Sequence, residues 1–258
     1  MTHPDFSLIT ESPGLQATQE QIERVYHRYH FAKQFCIDKA VLEVACGTGI
    51  GLGYLATLSK NVWGGDIDDK NLSIAKSRYQ SHPKIKLQKM DAHQLDLPDA
   101  SYDVVLLYEA IYYLKEPQKF IEESFRVLKP QSILIICSVN KDWKDFHPSP
   151  FTYRYFSIPE MVELLKKKFS EVKVYGAFKI QHGIKSSVFS LIKRLASKLD
   201  LIPGSLKLRA YLKRVFIGKT FPLPNEINEG MTEYESPAEL DSQHKNFSYK
   251  IIYFVGRK

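Results

Sequence analysis

Two acidic residues in the first third of the sequence stand where carboxylates can hold a small ligand. Glu43 lies inside an apolar run, residues 41–45, four positions before Gly47. Asp66 ends a second such run, about twenty residues after the turn that follows the first. A carboxylate near the end of a strand suits a cationic or hydroxyl-bearing ligand and repels a pyrophosphate. For Asp66 the ribose hydroxyls of an adenosine ligand are favoured, and capping of the next helix is the alternative.

The segment after Glu43 is rich in glycine and joins a predicted strand to a predicted helix. Glycines at 47, 49, 51 and 53 precede an apolar, helix-compatible run, residues 53–58. A strand, a Gly-rich turn and a helix open a nucleotide-binding α/β unit, because glycine lets the backbone approach a ligand closely. The spacing Gly-x-Gly-x-Gly-x-Gly is not the dinucleotide fingerprint, and the Gly-Lys-Ser/Thr of a phosphate loop is absent.

Four features in the right order resemble class I S-adenosylmethionine-dependent methyltransferases. Residues 43–49, Glu-Val-Ala-Cys-Gly-Thr-Gly, are similar to motif I, and Asp66 is the acid after the second strand. Asp-Ala at 91–92 and Val-Leu-Lys-Pro at 127–130 complete the series, although Gln131 and Ser132 replace the usual glycines. The resemblance implies S-adenosyl-L-methionine as cofactor and S-adenosyl-L-homocysteine as product. It also implies these cofactor-binding residues: Arg28, Glu43, Ala45, Cys46, Gly47, Gly49, Asp66, Ile67, Asp91, Ala92 and Tyr108.

The predicted elements alternate between short apolar strands and amphipathic helices, which indicates an α/β fold. We expect a doubly wound, mostly parallel sheet of seven strands, with the seventh antiparallel as the resemblance implies. Strands are predicted near residues 40–45, 62–66, 85–90, 101–108, 133–139, 171–178 and 249–256. We expect a single domain over residues 1–258, with an N-terminal cap helix (1–36), a Rossmann-like core (37–178), a helical insert (179–248) and the last strand (249–258).

The insert carries the basic charge of the chain. Residues 182–219 hold nine Lys or Arg residues and one acid, Asp200, whereas the net charge of the whole chain is +7. Because the rest of the chain is near neutral, no nucleic-acid partner is expected. Amphipathic patterns at 188–199 and 206–217 predict helices. A lid over the acceptor or a dimer contact is favoured over a peripheral membrane contact.

The loop after the fifth strand, residues 140–156, is long and aromatic, and such loops are usually functional. His147 is the first candidate for a general base, because imidazole titrates near neutral pH, and an ordinary turn before Pro148 is the alternative. Glu109 is the second catalytic candidate. The predicted acceptor-binding residues are Tyr112, Tyr113, Asn140, Trp143, Phe146, Tyr153 and Tyr155.

We expect a methyltransferase that acts on a hydroxyl of a sugar, glycan or secondary metabolite. An N-methyltransferase on a small amine or aminosugar and a non-catalytic cofactor-binding partner are the alternatives. The three cysteines are widely spaced without metal-ligand spacing, so a reducing compartment and no bound metal are expected. No apolar run of about 18 residues and no signal-peptide pattern are present, which favours a cytoplasmic protein without a transmembrane segment.

Overall fold

The computed structural model describes residues 10–149, 151–180 and 219–258. Its first half contains β1 (Gln16–Thr18), α1 (Gln19–Cys36), β2 (Ala40–Val44), α2 (Leu52–Leu58), β3 (Asn61–Asp66), α3 (Asp69–Tyr79), β4 (Ile85–Lys89) and β5 (Tyr102–Tyr108). Its second half contains a 3₁₀ turn (Ile111–Tyr113), α4 (Pro117–Val127), β6 (Leu128–Val139), α5 (Ile158–Lys166), β7 (Glu171–Lys179), β8 (Thr220–Pro222), β9 (Ala238–Leu240) and β10 (Tyr249–Arg257).

The main sheet has the strand order β4-β3-β2-β5-β6-β10-β7-β9. Strands β2 to β6 pair in parallel, and β10 pairs antiparallel with β6 and β7. The predicted α/β fold with an antiparallel last strand is therefore confirmed. The sheet has one more strand than expected, because three residues of the segment that returns from the insert pair with β7 as β9.

Both faces of the central parallel strands β2 and β5 are buried, as is usual for doubly wound sheets. In β5, Val104 and Leu106 pack with α1 and α2, whereas Val105 and Leu107 pack with α4 and α5 on the other face. The strand order reverses between β2 and β5, which leaves a crevice at the carboxyl ends of these two strands. Ligand sites of this fold class lie in that crevice.

Helix α1 covers the crevice and is fixed at several points. The Thr18 hydroxyl caps its first turn by accepting from the Gln21 amide, and the Thr18 amide donates in return to Gln21 Oε1. His27, which is buried, bonds through Nδ1 to the Tyr253 hydroxyl (2.8 Å) and through Nε2 to the Glu235 carbonyl (2.9 Å). Because a carbonyl only accepts, Nε2 donates to Glu235, and in the neutral ring Nδ1 accepts from the Tyr253 hydroxyl. Burial lowers the pKa of His27 to about 4.

The segment that returns from the insert packs against the Gly-rich turn. The Ile227 amide donates to the Ile50 carbonyl (3.0 Å), and the Tyr79 hydroxyl donates to Glu226 Oε1 (2.6 Å). Upstream of these contacts, β8 pairs with β1 in a two-stranded ribbon. The helices predicted at 188–199 and 206–217 lie outside the described residues. Within the described ranges, no helix is long and apolar enough to cross a membrane.

Candidate functional site

A cavity of about 1110 Å³ opens at the carboxyl ends of β2, β3, β4 and β5, under the first half of α1. This exceeds the roughly 300–1,000 Å³ of ordinary small-molecule sites, so the cavity has room for a cofactor and an acceptor together. Most residues predicted for the site line this cavity: Arg28, Glu43, Ala45, Cys46, Gly47, Asp66, Ile67, Asp91, Ala92, Tyr108, Glu109, Tyr112, Tyr113, His147, Tyr153 and Tyr155.

Gly49, Asn140, Trp143 and Phe146 do not line the cavity, which corrects their predicted positions. Gly49 packs towards α3 at a positive φ of 73° and shapes the turn. The buried Asn140 amide donates to two backbone carbonyls of the segment leading into β10 (2.7 and 2.8 Å), so it fixes the loop. Trp143 lies against Lys250, and Phe146 packs edge-on against Tyr155.

The Gly-rich turn is held open by its backbone conformation and by Asp66. Ala45 and Gly47 both have a φ of 56°, and a Cβ on Gly47 would lie 2.9 Å from Thr10 Cγ2. The Gly47 amide donates to Asp66 Oδ2 (2.7 Å), and the Asp68 amide donates to Asp66 Oδ1 (2.9 Å). The Asn71 side chain also hydrogen-bonds this carboxylate, which leaves acceptor capacity for a ribose hydroxyl. Burial raises the pKa of Asp66.

Asp91 and Ala92 form the neighbouring wall. Asp91 is partly exposed, and its Oδ1 accepts from the His93 amide (2.8 Å) and lies 2.7 Å from His93 Nδ1. Ala92 is buried beside it. This pair of a carboxylate and a small apolar side chain borders the part of the cavity next to Asp66 and Ile67.

Among the cavity-lining atoms that are buried without a hydrogen-bond partner in the described residues, three belong to residues predicted for the cofactor: Arg28 Nε, Glu43 Oε2 and the Tyr108 hydroxyl. Arg28 also forms an ion pair with Glu11, through Nη2. Glu43 Oε1 accepts from the Tyr29 hydroxyl (2.7 Å), and burial raises the pKa of Glu43 to about 7. Unpaired buried donors and acceptors are costly, so this trio indicates a ligand position.

The trio matches the amino-acid end of the cofactor that the sequence implies. A guanidinium N–H can donate to an α-carboxylate, and a carboxylate oxygen can accept from an α-ammonium. Asp66 offers acceptor positions for a ribose, as described above. The residues present therefore fit S-adenosylmethionine, with the amino acid near Arg28 and Glu43 and the ribose near Asp66.

The other half of the cavity is aromatic and contains a half-buried carboxylate, Glu109. This residue follows β5 with a φ of 51°, a conformation that is rare outside glycine. Glu109 Oε2 accepts from the Tyr112 hydroxyl (2.7 Å), and Oε1 has a long contact of 3.7 Å with Cys137 Sγ. Burial raises the pKa of Glu109, against the lowering effect of the Tyr112 hydrogen bond.

His147 lies at the exposed rim of this half. Its side chain makes no hydrogen bond within the part of the chain that the structure describes. Also among those residues, no group of three or more His, Cys, Asp or Glu side chains is arranged to hold a metal ion. A base at the rim would act only if the acceptor held its reacting group there, whereas Glu109 lies inside.

Several lining residues were not predicted from the sequence. Tyr29 and Arg24 come from α1, next to the predicted Arg28, and Thr10 and Glu11 come from the segment before β1. The helical period of α1 could have indicated Tyr29, because it lies next to Arg28 on the buried face. No sequence pattern indicates Glu11, because its contact with Arg28 depends on the path of an irregular segment.

Comparisons with known proteins agree with the fold. A family profile described as a methyltransferase domain matches residues 42–136. A probable S-adenosylmethionine-dependent methyltransferase of Mycolicibacterium smegmatis is 31% identical over 176 residues, which are 66% of this chain and 66% of that protein. A ubiquinone biosynthesis O-methyltransferase of Bradyrhizobium diazoefficiens is 28% identical over 107 residues, 41% of this chain and 42% of that protein. The chain thus spans two thirds or less of these relatives' length.

Among solved structures, YcgJ of Bacillus subtilis superposes with a TM-score of 0.59 at 16% identity, covering 91% of this chain and 98% of that one. At this identity the likeness concerns the fold alone. The reversed last strand and the cavity at the ends of β2 and β3 define a Rossmann-like methyltransferase domain. The chain belongs to the class I S-adenosylmethionine-dependent methyltransferases, as its sequence predicted, and S-adenosylmethionine is the cofactor of this family.

Proposed function

We propose that this protein transfers a methyl group from S-adenosylmethionine to a hydroxyl group of a small molecule. The observation that carries the proposal is Glu109, a half-buried carboxylate that lines the same cavity as Arg28 and Glu43. The cavity volume of about 1110 Å³ supports simultaneous binding of donor and acceptor. The match to a ubiquinone biosynthesis O-methyltransferase is consistent with a hydroxyl acceptor.

In this proposal the cofactor is held by residues from four elements. Arg28 of α1 donates to the carboxylate, and Glu43 of β2 accepts from the ammonium. Asp66 accepts from the ribose hydroxyls. Asp91 and Ala92, after β4, border the adenine. When bound, the cofactor supplies an activated methyl group, and holding the two reactants close and collinear contributes several kcal/mol to catalysis.

Glu109 acts as the general base in this proposal. A hydroxyl acceptor must lose its proton as the new bond forms, so a base near the acceptor oxygen raises the rate. Burial raises the pKa of Glu109, which makes its carboxylate a stronger base than an exposed one. His147 remains the second candidate for this role, since it lines the same half of the cavity from the rim.

The test measures turnover with a panel of hydroxyl and amine acceptors. Release of S-adenosylhomocysteine gives the rate, and mass spectrometry identifies the products. Glu109→Gln should lower turnover of a hydroxyl acceptor about 10²- to 10⁴-fold, the usual contribution of a general base. The affinity for S-adenosylhomocysteine should change little. His147→Ala is the matched control, because it removes the other candidate from the same half of the cavity. Loss of turnover only in His147→Ala would assign the base to His147.

An amine acceptor is the second candidate function. Tyrosine rings beside a half-buried carboxylate can also hold a neutral amine, whose N–H group can donate to Glu109 Oε1. An amine needs only to arrive neutral, so no base is required in the transfer step. Methylation of amines that persists in both Glu109→Gln and His147→Ala would favour this alternative. Binding of S-adenosylhomocysteine without turnover of any acceptor would favour a non-catalytic role.

A further inference from the structure

We propose that the acceptor is a planar hydroxylated aromatic ring, a phenol, and that Glu109 Oε1 receives its hydroxyl proton. This inference rests on the proposed O-methyl transfer and names the acceptor of that same site. It departs from the sugar that the sequence suggested. Three observations carry it: the composition of the cavity wall, the hydrogen bonding of the tyrosine hydroxyls, and the environment of Glu109.

The acceptor half of the cavity has a wall of tyrosine rings. Tyr112 and Tyr155 are stacked, with ring centroids 4.4 Å apart and planes at 26°. Tyr113 meets Tyr112 edge to face at 4.6 Å. Phe146 supports Tyr155 from outside the cavity at 4.7 Å. Such a wall offers flat apolar surface, and aromatic rings bind favourably against it in stacked or edge-on geometry.

The hydroxyl groups of Tyr112, Tyr113 and Tyr155 already form hydrogen bonds within the protein. Tyr112 donates to Glu109, and Tyr113 donates to Ser149 Oγ (2.9 Å). The Tyr155 hydroxyl accepts from the Ser149 amide (3.0 Å). A sugar ring needs partners for several hydroxyls, and burying them without partners is costly. A phenol has one hydroxyl to satisfy, so this wall fits a phenol better than a sugar.

Glu109 has one oxygen committed and one open. Oε2 is held by the Tyr112 hydroxyl at 2.7 Å, whereas Oε1 has only the weak contact with Cys137 Sγ at 3.7 Å. The bond from Tyr112 shows that a phenol hydroxyl can donate to this carboxylate at 2.7 Å. A second phenol hydroxyl, from the acceptor, can approach Oε1 in the same way. The charged groups that face Glu109 are Arg28 and Arg24 of α1 and Glu11 of the N-terminal segment.

Acidity also separates the two acceptor classes. A phenol has a pKa of about 10, whereas the pKa of a sugar hydroxyl is closer to that of water, which is about 15.7. A carboxylate can take the proton of a phenol far more readily than that of an alkanol. The raised pKa of Glu109 makes this transfer easier. The acceptor oxygen then forms the new C–O bond as its O–H proton passes to Glu109 Oε1. The S–C bond of the donor breaks, and its electron pair stays on sulfur as a neutral thioether.

The test measures binding of catechol and of methyl glucoside to the protein saturated with S-adenosylhomocysteine, by calorimetry or ligand-observed NMR. Catechol should bind, and methyl glucoside should not, at concentrations up to about 10 mM. Tyr155→Leu should weaken catechol binding about tenfold, since it removes one stacked ring. Phe247→Leu is the control, because Phe247 is exposed and lies outside the cavity lining.

Turnover distinguishes failure of this inference from failure of the proposed function. If Glu109→Gln abolishes the methylation of catechol but retains catechol binding, both the phenol acceptor and the proposed O-methyl transfer are supported. Methylation of a sugar hydroxyl but not of catechol overturns the inference and leaves O-methyl transfer standing. Methylation of amines alone, persisting in Glu109→Gln, overturns the proposed function. Absence of catechol binding up to about 10 mM also overturns the inference.

Discussion

Replacement of Glu43 by Gln should make the free protein more stable and the cofactor complex weaker. Burial raises the pKa of Glu43 from 4.5 to about 7, so the folded chain binds this proton more tightly than the unfolded chain. The stability of the protein is therefore highest below about pH 4.5 with respect to this group, and it falls as the pH rises through about 7. Above about pH 7, the raised pKa of Glu43 lowers the free energy of unfolding by about 3 kcal/mol compared with its value below about pH 4.5.

Gln removes the charge but keeps an oxygen that can accept from the Tyr29 hydroxyl. At about pH 8, Glu43→Gln should raise the free energy of unfolding by up to about 3 kcal/mol, and at about pH 4.5 the two proteins should be alike. The affinity for S-adenosylhomocysteine should fall, since hydrogen bonds to charged groups are worth roughly 1.5–3 kcal/mol. Calorimetric unfolding at both pH values and titration calorimetry measure the two effects.

Asp103→Asn is the matched control for the sign of this effect. Asp103 accepts from the Ala40 amide and from Lys129, and these bonds outweigh its partial burial and lower its pKa. The same carboxyl-to-amide change should therefore destabilise the protein at about pH 8. Two outcomes would refute this reasoning: destabilisation of the protein by Glu43→Gln at about pH 8, or a pH dependence of stability in Glu43→Gln equal to that of the wild type. Either would show that the buried Glu43 carboxylate does not destabilise the folded chain.

Three further outcomes follow from the cofactor half of the cavity. The affinity of the wild type for S-adenosylhomocysteine should fall about tenfold from pH 8 to pH 6, because protonated Glu43 no longer attracts the ammonium group; calorimetry in Glu43→Gln should show no such fall. Gly51→Ala should cost about 1–3 kcal/mol in thermal unfolding, since a Cβ there would lie 2.1 Å from the Tyr29 ring; an unchanged midpoint would contradict this packing. Asp66→Ala should abolish cofactor binding and release the Gly47 amide; unchanged affinity by calorimetry would show that the ribose lies elsewhere.

The sequence predicted the core of the fold because its parallel strands are apolar on both faces and its helices are amphipathic. The added strands β8 and β9 were not predicted, since each has three residues and no clear periodicity. Their pairing depends on the path of the returning chain. Such pairing is a tertiary effect that local patterns do not record.

The cofactor half of the cavity was predictable because its residues stand at fixed places next to strand ends. The acceptor half was predicted only in part. Tyr113 and Tyr155 line it as expected, whereas Asn140 and Trp143 turn to the backbone and to Lys250. The sequence of an irregular loop does not predict which aromatic side chains face the cavity, because no helical or strand period relates their positions.

The neutral His27 that fixes α1 to β10 has a consequence for the whole pH profile. Its pKa is lowered from 6.5 to about 4, so the protein loses stability as the pH falls through that interval. Glu43 acts in the opposite direction over nearly the same interval, with about the same magnitude. The two residues lie on facing elements, and their contributions cancel. With respect to His27 and Glu43 alone, the stability should therefore stay nearly constant in mildly acidic solution while the affinity for the cofactor declines.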